Sequence, residues 1–316
     1  MEVVQELTFD TFKDFYQAIG PSGSLSAKLK GFIFRGQASS SYQLLPVVLR
    51  YSTDPNNKFN IYDLLKMTKL NRDACLKDID SVGTQIIIEY DLLATFYRIA
   101  NFSGLHVPQI NYFIFSANKN FIVEKMPKED FYWIHNEIIE LAALAQHYGV
   151  PTRLLDWSFD IYVALYFAVK GACCLMDENK TKDGFFDLWA INYNFFQEDS
   201  TKSFPLKFIV PSYKNNENLC AQKGVLSYIE IKHEDIVKAN QDDIIFLKKD
   251  TRPLDSILDD YKDKFNRPIL YRMSFPYSCL KEAFIFLNRI GYNASRIFPG
   301  YKGVVWEMEE KRYIYG

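Results

Sequence analysis

The stretch from Asn136 to Ala168 constrains this chain more than any other. Apolar Ile138, Leu141, Leu144 and Ala145 recur at helical spacing, which predicts a helix. Gly149 supplies its stop, and Pro151 prevents the helix from resuming. Thr152 to Trp157 then carries Arg153, Asp156 and Trp157 in one short segment, and a second apolar helix follows through Ala164-Leu165-Tyr166-Phe167-Ala168. Charged groups set between two apolar helices are costly unless paired or used. The functional site is expected here.

The remaining chain is read outward from that stretch. Glu6 to Ile19 reads as an amphipathic helix with Phe9, Phe12, Phe15 and Tyr16 on its apolar side. Gly31 to Gln37 is a strand ending in Arg35-Gly36-Gln37, and Tyr42 to Arg50 is apolar with a second arginine at its end. Ile86 to Ile99 is a helix, with Leu92, Leu93, Phe96 and Ile99 on one side and Glu89 on the polar side near Arg98. Phe102 to Val123, including Tyr112-Phe113-Ile114-Phe115, is a strand or an insertion. Gly184 to Ile191 is a strand, Asn215 to Asn218 a polar turn, and the latter half of Cys220 to Ile231 a strand. Asp242 to Lys264 is charged and assigned to the surface. A strand begins at Tyr271, Cys279 to Ile290 is a helix, and a last helix starts at Tyr301 and frays into Glu307 to Arg312. Strands and helices interleave without strict βαβ order. The expected class is α+β, a mixed sheet core with flanking helices, in one domain spanning 1–316 with insertions at about 52–80, 102–128 and 236–265.

Composition removes several classes of function. A net charge of −2 provides no bulk field that draws the chain to nucleic acid or anionic lipid, although a local basic groove stays open. The first residues lack the order of a signal peptide and no apolar run is long enough to span a bilayer, so a cytoplasmic protein with no membrane partner is expected. Five cysteines without regular spacing do not form a disulfide framework, and Cys173-Cys174 read as buried core thiols. The four histidines (His106, His135, His147, His233) show neither HExxH nor zinc spacing with cysteines, so no metal is expected. No Walker loop and no GxGxxG occurs.

Each candidate residue has a chemical and a structural reading. Arg35 at a strand end can grip a phosphate or carboxylate with its planar fork, or can pair a core carboxylate such as Asp156; local sequence favours the pair. Arg153 can pair with Asp156 in a buried ionic network. His147 is a general base or a helix-end cap, with the cap preferred. Trp157 stacks on a ring or fills core. Gln222 with Gly224 lets the backbone approach a ligand or makes a bulge.

Several segments taken in order resemble a known family. These are Phe34-Arg35-Gly36-Gln37, Tyr42 and Pro46, then Gln146-His147-Tyr148-Gly149-Val150-Pro151-Thr152-Arg153-Leu154-Leu155-Asp156-Trp157-Ser158, then Ala164 to Ala168, Ala221 to Val225 and Phe298-Pro299-Gly300. They resemble the FRG domain family, whose members are largely prokaryotic and include proteins of phage-related or defence contexts. The resemblance implies a prokaryotic defence or toxin-type effector, with a protein or nucleic-acid target and a phage-derived activator among its partners.

A more distant likeness goes further. The aromatic-Arg-Gly strand end looks like the first motif of ADP-ribosyltransferases, whose arginine holds NAD. Leu154 to Ser158 with its following helix is similar in layout to their Ser-Thr-Ser strand, and Gln222 to Leu226 falls where their glutamate motif is expected. This likeness implies NAD as the substrate cofactor, with Arg35, Gln37, Arg153, Trp157, Ser158 and His147 around it. Gln222 replaces the expected glutamate, so Asp156 becomes the candidate acid, with Glu140 or Glu230 behind it and Gln222 orienting the ribose. Two alternatives stand beside the enzyme: a non-catalytic sensor of a nucleotide, nucleic acid or phage protein, and a nuclease with Asp156, Glu140 and Glu137 on Mg²⁺.

Overall fold

Phe32, Ile33 and Phe34 are buried in succession, so both faces of their strand are covered and the strand is an interior one. The computed structural model describes residues 2–54, 57–110, 126, 128, 130–179, 183–201, 203–212, 217–240 and 243–315. Its strands are β1 (Val4–Thr8), β2 (Phe32–Gln37), β3 (Tyr132–Trp133), β4 (Leu155–Ser158), β5 (Phe185–Asn192), β6 (Leu206–Ile209), β7 (Gly224–Ile229), β8 (Ile231–Lys232), β9 (Val237–Asn240), β10 (Asp243–Phe246) and β11 (Leu270–Pro276). The longer helices are α1 (Phe12–Ile19), α4 (Val82–Phe102), α5 (Asn136–His147), α6 (Ile161–Asn179), α10 (Leu280–Arg289) and α12 (Tyr301–Tyr315). Shorter ones are α2 (Ile61–Lys66), α3 (Arg72–Lys77), α7 (Glu217–Gln222), α8 (His233–Ile236), α9 (Leu254–Asp259) and α11 (Ala294–Ile297).

Seven strands form one sheet in the order β1-β11-β5-β2-β4-β7-β6. Its neighbours are antiparallel except for the parallel pair β1 and β11, so the sheet is mixed. Helices flank it, and the class is the α+β read from the sequence. On one face Phe34, Leu188, Met273 and Phe275 pack with Leu165, Val169 and Phe284 of α6 and α10. On the other, Ile33, Trp157, Trp189 and Val225 pack with Leu44, Leu254 and Leu258. α4 and α5 build a third core with Trp133, Leu226 and Tyr228, while α2 and α3 pack on Ile88 and Leu92 of α4.

One contact seats β2 on α6. A Cβ on Gly36 would stand 2.0 Å from the Ala164 carbonyl oxygen and 2.6 Å from the Ala168 nitrogen. The strand touches helix backbone there, and glycine alone permits it.

The structure differs from several sequence expectations. Glu6 to Ile19 is not one helix: Val4–Thr8 pairs with β11 as an edge strand, and α1 starts at Phe12 because Thr11 caps it, accepting from the Asp14 amide at 3.2 Å. Glu89 is buried rather than on a solvated face, whereas Ile99 is largely exposed. The segment 242–264 is not all surface, since Leu254 and Leu258 are core residues. The expected turn at Asn215 to Asn218 gives way to α7 from Glu217, with Asn215 and Asn216 outside the described residues, as Tyr112 to Phe115 also are. The last helix runs to Tyr315 because Glu310 is buried at 1% exposure, accepts from the Tyr166 hydroxyl at 2.5 Å and lies 3.4 Å from Lys170. Cys173 is a buried core thiol, raised by burial to about 12, and Cys174 is half-buried.

Candidate functional site

A parting of two strands makes the site. β2 pairs with β5 from Phe32 to Gln37, but with β4 through Phe34 and Ser158 alone. Beyond that pair the antiparallel register would set Gly36 opposite Asp156. Instead Arg35 bridges the gap: its Nη1 donates to the Asp156 carbonyl at 2.7 Å and stands 3.7 Å from Oδ2 of the same residue. The opening is a cleft of about 400 Å³ bounded by β2, β4, β7 and the first turns of α6. Arg35, Gln146, His147, Asp156 and Gln222 supply polar walls. Val163, Leu219, Phe167 and Phe298 supply apolar ones, the two rings 5.9 Å apart edge to face.

Asp156 is held yet open. Its side chain is 67% exposed, while Oδ1 accepts from Gln146 Nε2 at 2.6 Å. Gln146 is itself oriented, because Thr152 Oγ1 donates to its Oε1 and in turn accepts from the Leu154 amide at 3.2 Å. The carboxylate is thus aimed by a relay within its own stretch of chain.

Arg35 is the inverse case. Its side chain is 17% exposed, and its Nε is buried with no hydrogen-bond partner among the described residues. Burial lowers its affinity for the proton and Asp156 opposes that effect. Arg50 lies close enough for the two guanidiniums to disfavour each other's charge; burial and then Arg35 lower it. Arg50 donates Nε and Nη2 to the Leu45 carbonyl, at 2.9 and 2.6 Å. Two guanidiniums against one exposed carboxylate leave positive charge uncompensated, and a buried donor without a partner favours an anion that supplies one.

The corner between α7 and β7 is pinned to the corner between β4 and α6. Ser158 Oγ donates to the Gln222 carbonyl at 2.7 Å and accepts from the Asp160 amide at 2.9 Å. The Phe159 amide donates to the Lys223 carbonyl at 3.1 Å. Lys223 has φ of +46°, a left-handed conformation uncommon for a residue with a side chain, and its Nζ bonds Asp160 at 2.8 Å. The Tyr292 hydroxyl donates to the same oxygen at 2.8 Å. Burial works against the charge of Asp160, but these donors outweigh it and hold the carboxyl below the ordinary aspartate range. Gln222 donates Nε2 to the Ile297 carbonyl at 3.3 Å, which brings the α11 segment to the cleft.

Of the residues singled out from sequence, Arg35, His147, Asp156, Trp157, Ser158 and Gln222 converge on this cleft. Trp157 is buried, its indole donating to Ser227 Oγ at 2.8 Å, so it serves as core wall. His147 sits edge-on to Tyr148, ring centroids 5.1 Å apart. The others lie elsewhere. Arg153 forms a buried fork on Glu89, 2.7 Å from Nε to Oε2 and 2.9 Å from Nη2 to Oε1. Gln85 and Trp133 complete the Glu89 carboxylate at 2.9 and 2.8 Å. Gln37 is buried, accepting from Trp189 Nε1 at 2.9 Å and donating to the Gln43 carbonyl at 3.1 Å. Glu140 and Glu137 are exposed on α5 and are not cleft walls. Among the described residues no group of three His, Cys, Asp or Glu side chains is placed to hold a metal ion.

Sequence reasoning missed Gln146 and Thr152 as the residues that aim Asp156, and Phe167 and Phe298 as apolar walls. The first two lie in the central stretch and were visible as polar residues flanking a helix stop. The aromatic wall had no local signal, because Phe298 arrives from the far end of the chain.

The FRG domain family model matches residues 83–174, from the second residue of α4 to Cys174 in α6, and the match includes Gln146, His147, Asp156, Trp157 and Ser158. No curated protein and no solved structure matches the chain. Among the described residues, no helix is long and apolar enough to cross a membrane. The match and the cleft share the same central stretch, and the chain is an FRG-domain protein.

Proposed function

We propose that the cleft is an NAD site and that the chain is an ADP-ribosyltransferase-like enzyme, a cytoplasmic defence or toxin-type effector of a prokaryote. One observation carries the reading: Arg35 stands in the opening between β2 and β4 with Asp156 beside it and with a buried Nε that has no partner among the described residues. A guanidinium with an unused donor suits a diphosphate, which accepts in the same planar geometry. The Phe167 and Phe298 walls suit a flat ring. Gln222 keeps its side-chain oxygen for a ribose hydroxyl.

In this reading the bond between ribose C1′ and the nicotinamide nitrogen breaks, and the electron pair leaves on nicotinamide. Asp156 faces the positive charge that develops on the ribose and stabilises it electrostatically. A nucleophile on the protein or nucleic-acid target bonds C1′, and its proton passes to the Asp156 carboxylate. A phage-derived activator is the natural trigger for such an effector.

The second reading, a non-catalytic sensor of a nucleotide, nucleic acid or phage protein, is favoured by Gln222, whose neutral amide cannot offset charge at C1′. Nicotinamide release and ADP-ribose transfer, measured with and without phage lysate, separate the two. The enzyme reading expects turnover by the wild type that Asp156→Asn abolishes while NAD binding survives. Saturable binding with no turnover in any condition supports the sensor.

A further inference from the structure

Strands β4 and β7 have a cavity on each side. The register partners Asp156 and Leu226 line the cleft, whereas the adjacent partners Leu155 and Ser227 line a second cavity of about 510 Å³. Alternation of side chains along a strand produces this division. Leu44 and Pro46, from the segment after β2, and Leu254 and Ile257 of α9 give the second cavity aliphatic walls, and charged side chains make up much of the rest. Its volume lies in the class of small-molecule sites, roughly 300–1,000 Å³.

The charges around it are nearly all committed. Arg153 is held by Glu89, Arg252 by Asp250 and Asp260 at 2.8 and 2.9 Å, and Glu230 lies 3.9 Å from Lys207. Lys232, Lys248, Glu234 and Asp235 are exposed, where solvent and salt screen them. Lys249 differs. It is half-buried, and among the described residues its Nζ makes no hydrogen bond and no ion pair. Burial works against its charge, offset in part by Asp80 and Glu89. An ammonium only partly compensated, at the edge of a cavity with aliphatic walls on offer, calls for a ligand with one negative charge and an apolar body. With the guanidiniums of Arg153 and Arg252 committed to carboxylates of the fold, a single ammonium suits a carboxylate better than a doubly charged phosphate.

We infer that this second cavity binds a small amphipathic carboxylate, its aliphatic body against Leu44, Leu155, Leu254 and Ile257 and its anionic end on Lys249. The site stands apart from the NAD reading and does not depend on it. Calorimetry on the full chain tests it, with octanoate as the probe and octanol as its neutral counterpart. Wild type, Lys249→Gln, Ile257→Trp and Arg35→Ala are compared, each shown folded by circular dichroism and thermal melting. Octanoate is expected to saturate one site and to weaken about tenfold or more in Lys249→Gln, the loss of a charged hydrogen bond. Octanol binds more weakly and is indifferent to Lys249→Gln. Ile257→Trp, which fills the cavity from a half-buried helix position, abolishes octanoate binding, and Arg35→Ala leaves it intact. The inference is overturned if folded wild type does not bind octanoate, if Lys249→Gln binds it equally well, or if Arg35→Ala removes it, which would place the anion in the cleft.

Discussion

Two arginines of this chain meet a carboxylate, and they do so in opposite ways. Arg153 and Glu89 are 5% and 4% exposed, joined by two short parallel hydrogen bonds, with Gln85 and Trp133 completing the carboxylate. Arg35 and Asp156 are 17% and 67% exposed, their side chains 3.7 Å apart, and one buried donor of Arg35 has no partner among the described residues. The first pair is closed: both Glu89 oxygens and two donors of Arg153 are used inside the fold. The second is open, with a donor and a carboxylate both available. The lesson is that charge between apolar elements divides into groups that hold the structure and groups that the structure holds for something else.

The comparison is most easily broken at the closed pair. Glu89→Gln leaves the buried Arg153 uncompensated and should destabilise the fold by about 3–5 kcal/mol. Chemical denaturation would read this, and a loss below 1 kcal/mol would show that the closed pair does not hold the structure. Next is the seat of the open pair. Gly36→Ala drives a methyl into the Ala164 carbonyl, with an expected loss of about 1–3 kcal/mol and a displaced β2.

Smaller effects on stability sharpen the contrast. Arg35→Ala removes a hydrogen bond to backbone but leaves an exposed aspartate, so stability should fall by only about 1 kcal/mol. Its NAD affinity should nevertheless fall at least about tenfold, since a charge-assisted contact to the diphosphate is lost. Asp156→Asn should be the mildest, within about 1 kcal/mol by thermal melting because the side chain is mostly exposed. NAD binding should be kept or strengthened as a negative charge leaves the cleft. Weaker binding by Asp156→Asn would remove the aspartate from its assigned role as a charge stabiliser.

Legibility in the sequence followed the range of each interaction. β2, α5 and α6 could be read because their apolar residues run together or recur within a short local stretch. β1 could not: Val4 to Thr8 mixes polar and apolar residues, and it becomes a strand by pairing with β11 from the other end of the chain. Glu89 was misplaced for the same reason, since its partners Arg153 and Trp133 lie on other elements. In the cleft, the nearness of Arg35 and Asp156 was available as one of two readings, and the pair does form. Which arginine would be satisfied and which left open is decided by packing, and no local pattern carries that information.

The most direct test of the account is NAD binding by calorimetry to folded wild type and to folded Arg35→Ala. The account predicts saturable one-site binding by the wild type and its loss in the variant at nearly unchanged stability. Equal binding by both, or none by the folded wild type, would contradict the claim that Arg35 is the open group of the cleft.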